Sequence, residues 1–492
     1  MIQWAKMKNY IIKSTSIRRS DILQKEYILS APRYSKIHIN KNYKPLTDLI
    51  KISKSSVGTK NKKEYFNYVE IGSINSSTGY VSPIYKKSID ISTDSVFSLR
   101  KDDILISTVR TYLGGIGIIT HNNDNLVSSK ALIVLRDLID KTINRYYLFG
   151  ILRSSFFIEQ TNLILNASMY PRMDKDSFDQ LKIPLPSKNN HQEPQQIEQL
   201  VSIVTQNIID KEEQIKAKNR KIDYLIEKEL QESQRPENSF QYAYPKISEI
   251  KKESRLDTGI YERSYKKDEY TVLNYKDGHY FLDSKKVSPG VTPKDYHFSE
   301  NRRNSNFYEW VTPKNVENRQ IAYQTYIHTK SSTKSKPYSL ILNGIRYVGN
   351  GVFVDDEQVI FSNQNTLVIN QFKNKERQLF LLCFLTSGIA KKMQMVRRNF
   401  GIVPILYTEH LCKIPIPNFP KSKQQEISKE YYNKIDKNQN LILDNYLDQE
   451  KARNKELGIF QLNMEIFTLR EKLEDIIDKI INDTPVQINL EY

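Results

Sequence analysis

From Gln195 to Arg235 the chain contains no glycine or proline, and apolar residues recur at Ile197, Val201, Val204, Ile208, Ile215, Ile222 and Leu225. Read as heptads, Val201, Ile208, Ile215 and Ile222 take position a, and Ile197, Val204 and Leu225 take position d. Lys211 and Lys218 are the polar exceptions in this seam. A second run from Lys423 carries Ile427, Tyr431, Ile435, Leu441, Ile442 and Tyr446, with Asn438 and Asn445 in its seam. The pattern predicts that this second helix continues through "NMEIFTLREKLEDIIDKIIND", with a break near Gly458. Neither run is apolar all round, so each needs a partner along its stripe. The simplest partner is the other run, and the chain between them predicts an antiparallel pair. At 1.5 Å per residue, helices of ~40 residues are roughly 60 Å long, which predicts a rod with a globule near each end.

Outside these runs the pattern changes. "YFNYVEIGSI", "DILISTVR" and "ALIVL" alternate or are β-branched and end in Gly, Asn, Ser or Pro, which predicts strands. "NRYYLFGILRSSFFIEQT" and "KERQLFLLCFLTSGIAKKMQMV" carry i, i+3, i+4 spacing and predict short amphipathic helices. The fold class expected is α+β.

The same order occurs twice. "LKIPLP" (Leu181–Pro186) before "QQIEQLV" matches "CKIPIP" (Cys412–Pro417) before "QQEISKEY". Ile414 lies 231 positions after Ile183, and Gln424 lies 229 after Gln195. "YPRMDKDSFDQLKIPLP" pairs with "VPILYTEHLCKIPIP", and "LVSSKALIVLR" with "IFSNQNTLVIN" at an offset of 234 (Ser128 to Ser362). "DDILISTVRTYLGGIGII" (102–119) corresponds to the strand-like stretch 320–354. "RRSDILQKEY" pairs with "SRLDTGIYERSY" at an offset of 236 (Asp21 to Asp257). Ordered anchors at one offset mean a duplicated chain. The expected boundaries are 1–191 for the first globule, 192–235 for the first helix, 236–420 for the second globule and 421–492 for the second helix and tail.

Composition narrows the partners. With 74 Lys and Arg against 57 Asp and Glu, the net charge is +17, and a basic surface attracts a polyanion such as DNA. Richness in Lys, Ile, Asn and Tyr also fits an AT-rich coding bias. The two cysteines, Cys383 and Cys412, make no disulfide framework, and seven scattered histidines make no zinc motif. The longest apolar stretch, "LFLLCFL" (Leu379–Leu385), is far below the ~20 residues of a membrane span and reads as one buried face of a core helix. No signal-peptide pattern opens the chain, so the expectation is a soluble, cytoplasmic protein, with Met7 a second candidate start.

Catalytic motifs do not occur. There is no Asn- or Asp-Pro-Pro-aromatic run for a flipped base, no Gly-Lys dipeptide for a P-loop, no GxSxG, no HExxH and no Pro-Asp. "YLGGIGI" lies between strand-like segments and reads as a turn. "VDDEQVIF" (Val354–Phe361) matches the plain loop "THNNDNLV" of the first copy and reads as a hairpin turn. No catalytic, metal or cofactor site is expected.

Globule, long helix, globule, long helix resembles the specificity subunit of type I restriction-modification enzymes over nearly the whole chain. The residues that carry the resemblance are "DDILISTVRTYLGGIG", the two proline-rich junctions and the two R-x-D…Y starts; the tail beyond Gly458 is long for the pattern. The resemblance implies two target-recognition globules, each reading one half of a split, asymmetric DNA site. It also implies antiparallel coiled-coil helices that space the globules in a pseudo-two-fold repeat. Two methyltransferase subunits would dock on the helices, with restriction or translocase subunits alongside, and the methyl donor, ATP and magnesium would belong to those partners. Separated half-sites suit recognisers on a rod, since one turn of DNA is ~34 Å. The alternatives are a nuclease or methyltransferase with a divergent site, or a coiled-coil scaffold for proteins.

Arginine commonly reads guanine, and glycine lets a backbone come close to a ligand. The candidate DNA-binding residues are therefore Arg110 and Tyr112 beside Gly114–Gly115, Lys130, and Tyr170 with Arg172 in the first globule. In the second they are Asn343, Arg346, Tyr347 and Asn350, then Lys391, Lys392, Arg397, Arg398 and Asn399. "MVRRNFG" stands first among them, because adjacent arginines repel and need an anion. A solvated helix end and an ordinary hairpin are the plain readings of the same residues.

Overall fold

The computed structural model describes residues 10–12, 16–20, 34–59, 64–164, 173, 175–236, 239–300, 302, 306–399, 401–437 and 440–491. The chain divides into two compact units. The first comprises Met1–Glu213, Lys437–Lys455 and Met464–Tyr492, and the second Gln214–Asp436 and Glu456–Asn463. This division departs from the four expected segments, because most of the chain after Lys437 belongs to the first unit.

The main helices are α1 (Arg145–Arg153), α2 (Ser155–Ile164), α3 (Pro194–Glu232), α4 (Arg263–Leu273), α5 (Lys375–Leu385), α6 (Gly388–Arg397), α7 (Lys421–Tyr431), α8 (Tyr446–Glu456) and α9 (Ile459–Ile481). Capping explains several starts. The Asn144 side chain accepts the Tyr146 amide, Asn374 accepts that of Arg377, and Ser387 that of Ala390.

In the first unit the strands are β1 (Tyr43–Pro45), β2 (Ile50–Ile52), β3 (Ser56–Gly58), β4 (Tyr65–Val69), β5 (Ile84–Lys87), β6 (Ser95–Ser98), β7 (Ile104–Ser107), β8 (Ile116–Ile118), β9 (Leu126–Ser128), β10 (Leu132–Leu138) and β11 (Lys182–Pro184). One sheet has the order β8-β7-β10-β2 and the other β3-β6-β9-β4-β5; β11 pairs with β1. Val69, Leu105, Leu126, Leu132 and Val134 meet in the core of these sheets. In the second unit the strands are β12 (His279–Tyr280), β13 (Val287–Pro289), β14 (Tyr296–Ser299), β15 (Phe307–Val311), β16 (Tyr326–Thr329), β17 (Leu340–Asn343), β18 (Gly351–Phe353), β19 (Ile360–Ser362), β20 (Thr366–Ile369) and β21 (Ile416–Pro417). Its sheets have the orders β18-β17-β20-β13 and β14-β16-β15-β19, and β21 pairs with β12.

The two units use one strand scheme. β8-β7-β10-β2 and β18-β17-β20-β13 correspond strand for strand, and each second sheet contains one parallel pair, β4 with β9 and β15 with β19. Each repeated junction forms a short antiparallel pairing, two residues further along in the second copy than the sequence alignment gives. Ile183 lies opposite Lys44 on β1, and Ile416 opposite Tyr280 on β12. Both isoleucines are fully buried.

The heptad seam of α3 is buried as expected, and its two lysines are buried with it. Past Ile222 the buried stripe shifts to Ile226 and Leu230, so Leu225 is only half-buried. Lys211 is fully buried in the first unit. Its ammonium donates to Glu450 Oε2 (3.3 Å) and Asn454 Oδ1 (2.6 Å) on α8 and to Glu465 Oε2 (2.6 Å) on α9. In the second unit Lys218 meets Glu430 on α7 at 3.0 Å.

The second long run is not one helix. The expected break near Gly458 separates α8 from α9, but a second break separates α7 from α8, and the apolar stripe expected across it fails because Ile435 and Ile442 are exposed. Asn438 lies outside the described residues. In the first unit α8 runs parallel to α3 (Asn207 to Tyr446, Lys211 to Asn454), while α9 runs antiparallel to it (Asn190 to Lys479, Lys211 to Glu465). Leu379–Leu385 is buried on every side, not on one face. Among the described residues no single helix is long and apolar enough to cross a membrane.

Candidate nucleic-acid interface

In both units three backbone segments meet at the end of the β7–β8 or β17–β18 hairpin. In the first, the Ser107 amide donates to the Gly115 carbonyl (2.7 Å) and closes the loop that carries Arg110 and Tyr112. The Thr108 amide donates to the Ala131 carbonyl (2.9 Å), which sets the Ser129–Ala131 turn and its exposed Lys130 beside that loop. The Met173 amide then donates to the Thr108 carbonyl (3.0 Å).

The second unit repeats each bond with different side chains. The Asn343 amide donates to the Asn350 carbonyl (2.9 Å), the Gly344 amide to the Asn365 carbonyl (3.0 Å), and the Leu406 amide to the Gly344 carbonyl (2.8 Å). Even the entry to the turn matches, with Ser129 donating to Val69 and Asn363 to Val311. By this register Lys130 corresponds to Gln364, and Arg110 to Arg346.

The two arginines share a backbone state. Arg110 (φ 50°) and Arg346 (φ 59°) are left-handed and exposed, and each loop has a later left-handed glycine, Gly114 or Gly349. A Cβ on Gly349 would sit 2.4 Å from Lys391 Cγ, so the loop packs directly on α6.

The remaining candidates divide. Tyr112 is half-buried, and Tyr347 is 57% exposed beside Arg346. Tyr170 and Arg172 lie outside the described residues. Lys392 is exposed on α6, while Lys391 is half-buried and donates to Asn318 Oδ1 (2.9 Å). Burial first, then the neighbouring Arg319 guanidinium, brings the Lys391 ammonium down to about 8.

Three expectations are corrected by burial and internal pairing. Asn343 is fully buried, and its amide donates to the Pro313 carbonyl (3.1 Å). Asn350 is half-buried and donates to the Val316 carbonyl (3.3 Å). Both hold the hairpin together. Arg397, at 2% exposure, bonds Glu253 Oε2 (3.2 Å) and Glu269 Oε1 (2.8 Å) and lies over the Tyr265 ring. The anion that the Arg397–Arg398 pair requires is thus internal.

Arg398 and Asn399 are half-buried. The Arg398 carbonyl accepts from Arg255, and Asn399 bonds both the amide and the carbonyl of Ile405, closing the loop between them. Arg255 and Asp257, from the second R-x-D…Y start, form a two-point ion pair (2.6 and 3.0 Å) that clamps the end of α6. Asp21, the counterpart of Asp257, and Tyr27 lie outside the described residues.

Edge strands carry a surface that sequence reasoning missed. Tyr85 on β5 is 72% exposed and stacks on Tyr65 (4.6 Å), with the Lys87 ammonium over Tyr65 and that of Lys86 over Tyr68. On β14, Tyr296, His297 and Phe298 are exposed, and His297 stacks with His328 on β16. Interleaved aromatic and basic residues suit base and phosphate contacts. The signal was available in "SPIYKKS" following "YFNYV". "VDDEQVIF" forms the expected turn, with Asp355 paired to Lys375 (2.8 Å), and among the described residues no group of His, Cys, Asp and Glu could hold a metal.

Residues 39–221 match the family model of the type I restriction modification DNA specificity domain. This segment is a type I specificity domain. The match bears out the resemblance drawn from the sequence and gives this segment a DNA-specificity role in type I restriction-modification. The chain is also similar to the HsdS subunit from Thermoanaerobacter tengcongensis (16% identity over 89% of this chain and 96% of that one, TM-score 0.31). A second similar structure is the type I restriction-modification S subunit from M. genitalium (13% identity, 90% and 96%, TM-score 0.40). A third comes from a study of complex assembly and conformational transition of the type I system (15% identity, 91% and 99%, TM-score 0.32). No curated protein matches the chain. The specificity domain spans the strands, α1, α2 and the first part of α3, and so contains Arg110, Tyr112 and Lys130.

Proposed function

We propose that this chain reads an asymmetric, bipartite DNA site, one half-site per unit, and holds methyltransferase subunits and restriction subunits on its helical segments. The observation that carries this reading is the three-segment arrangement built twice on one backbone scheme with different side chains. A shared scaffold supports a shared task, and differing side chains at the same positions support different base sequences, because direct readout depends on side-chain donors and acceptors at base edges. The helices α3, α7, α8 and α9 act as spacer and as coiled-coil-like docking surface, and the duplication is a pseudo-two-fold repeat. Acting on chromosomal and invading DNA, the protein works in the cytoplasm.

A genome-wide map of methylated adenines in the source strain, with and without this gene, tests the reading. Deletion should abolish methylation at one split motif whose halves differ. A palindromic motif, or loss of no motif while the partner subunits are expressed and active, would sink the proposal.

A further inference from the structure

We infer that Arg110 and Arg346 are matched phosphate anchors, which fix each unit on the DNA backbone without reading bases. This deepens, and rests on, the DNA-recognition reading above.

Each arginine occupies the left-handed region at the same place in the same hairpin, φ 50° and φ 59°. An L side chain adopts that conformation at a cost that glycine escapes and asparagine tolerates better. Backbone bonds close both loops: Leu113 to Arg110 and Gly114 to Thr111 in one, Asn350 to Tyr347 and Asn343 to Asn350 in the other. The chain nevertheless keeps an exposed arginine at this strained position in both copies.

Their neighbours differ in order and number, although each loop keeps a tyrosine and a left-handed glycine. Thr111-Tyr112-Leu113 stands where the second loop has Tyr347-Val348, and Lys130 stands where it has Gln364. Residues that read unlike half-sites must differ between the copies. A residue common to both serves what every half-site offers, and that is the phosphate. The planar, always-charged guanidinium fork matches phosphate oxygens in a bidentate manner. Lys130 and Gln364 are left as a position where the two readings diverge.

The test uses the complex assembled with its methyltransferase subunits, and the variants Arg110→Asn and Arg346→Asn. Asparagine tolerates positive φ, so the loop keeps its shape while the charge is lost. Binding is measured from low to moderate salt on a duplex carrying the methylated motif and on a scrambled duplex. Each substitution should weaken both duplexes alike and flatten the slope of log K against log salt by about 0.9, and the double variant by about 1.8. The affinity lost between ~50 and ~200 mM salt would then shrink about 3.5-fold per arginine. Arg346→Lys should restore the slope, and the methylated motif should stay the same in every variant.

Relaxation of one base position with the slope unchanged would make the arginine a base reader and overturn the inference. Unchanged affinity on both duplexes would overturn it as well. If instead the unsubstituted complex fails to distinguish motif from scrambled duplex, the DNA-specificity reading itself fails, apart from any role of the arginines.

Discussion

Arg397→Ala separates an internal ion pair from a DNA contact at the position that local sequence favoured most. The guanidinium sits between Glu253 at 3.2 Å and Glu269 at 2.8 Å, and its side chain is 2% exposed. At an effective dielectric of about 20, each pair contributes a gross attraction of about 5 kcal/mol, much of it offset by taking the charges out of water. Burial pulls the Arg397 proton affinity down, but Tyr265, Glu269 and Glu253 outweigh it and raise it overall. Truncation to alanine recovers none of the desolvation of the two carboxylates, so the loss is about 3–5 kcal/mol. For a unit of this size that lowers Tm by roughly 6–20 °C. Trp310, 6% exposed in the core of the second unit, reports its unfolding by fluorescence, and a Trp4→Phe background isolates that signal.

The pH dependence has a definite sign. Burial raises the Glu253 carboxyl, but Arg397 and then Lys413 outweigh this and hold it below its usual value. A depressed carboxylate contributes stability that is present above its unfolded value of about 4.3 and is lost as pH falls through the folded value. Without Arg397 that contribution shrinks, so the deficit of the variant should hold steady from about pH 7 to about 4.3 and narrow as pH falls further. A variant that melts like the parent at every pH yet binds DNA weakly would refute the reasoning and place the guanidinium on a phosphate.

Further outcomes follow from the same geometry. Lys211→Met should destabilise the first unit by about 3–5 kcal/mol in urea denaturation, because Glu450 and Glu465 lose a buried partner; adding Glu465→Gln should recover part of that loss. Glu465 is raised by burial but held low overall by Arg453 and Lys211, so its stabilisation should be present above about pH 4.3 and disappear on acidification, less steeply in the Lys211→Met variant. Gly349→Ala should cost about 1–3 kcal/mol in thermal melts and reduce DNA affinity, since φ +87° and the 2.4 Å approach to Lys391 Cγ both oppose a side chain; Gly388→Ala at the start of α6, where a Cβ would make ordinary contact with Glu227 Oε1 at 3.5 Å, should be neutral or stabilising. Tyr85→Ser should leave Tm within a few degrees while weakening DNA binding of the assembled complex by about 1–3 kcal/mol if its exposed face stacks on a base; unchanged binding would remove the β5 edge from the interface.

The sequence by itself determined the elements whose information lies within a few residues. The α3 seam from Ile197 to Ile222 is a 3.5-residue period, and the structure buries every position of it. The strands at Ile104–Ser107 and Leu132–Leu138, and the helix pairs 145–164 and 375–397, came from spacing and turn residues alone. The repeated junction marked the neighbourhood of a short strand in each unit, Lys182–Pro184 within the first Lys-Ile-Pro run and Ile416–Pro417 just after the second. Among the candidate DNA-binding residues, Arg110, Arg346 and Tyr347 stand out in the sequence because they sit beside glycines, and the structure places them, with Lys130, exposed in loops and turns.

Only the tertiary structure decided which charges remain outside. Arg397 meets Glu253 and Glu269, 144 and 128 residues away, and Lys211 meets Glu450 and Glu465, 239 and 254 residues away. No local window contains those partners, so a buried cation and a DNA-facing one read alike in sequence. The same holds for the break between α7 and α8, where isoleucines that extend the stripe on paper are exposed. Periodicity is a property of neighbours along the chain and is written there; the pairing of a buried charge depends on which distant segment arrives beside it, and folding alone settles that.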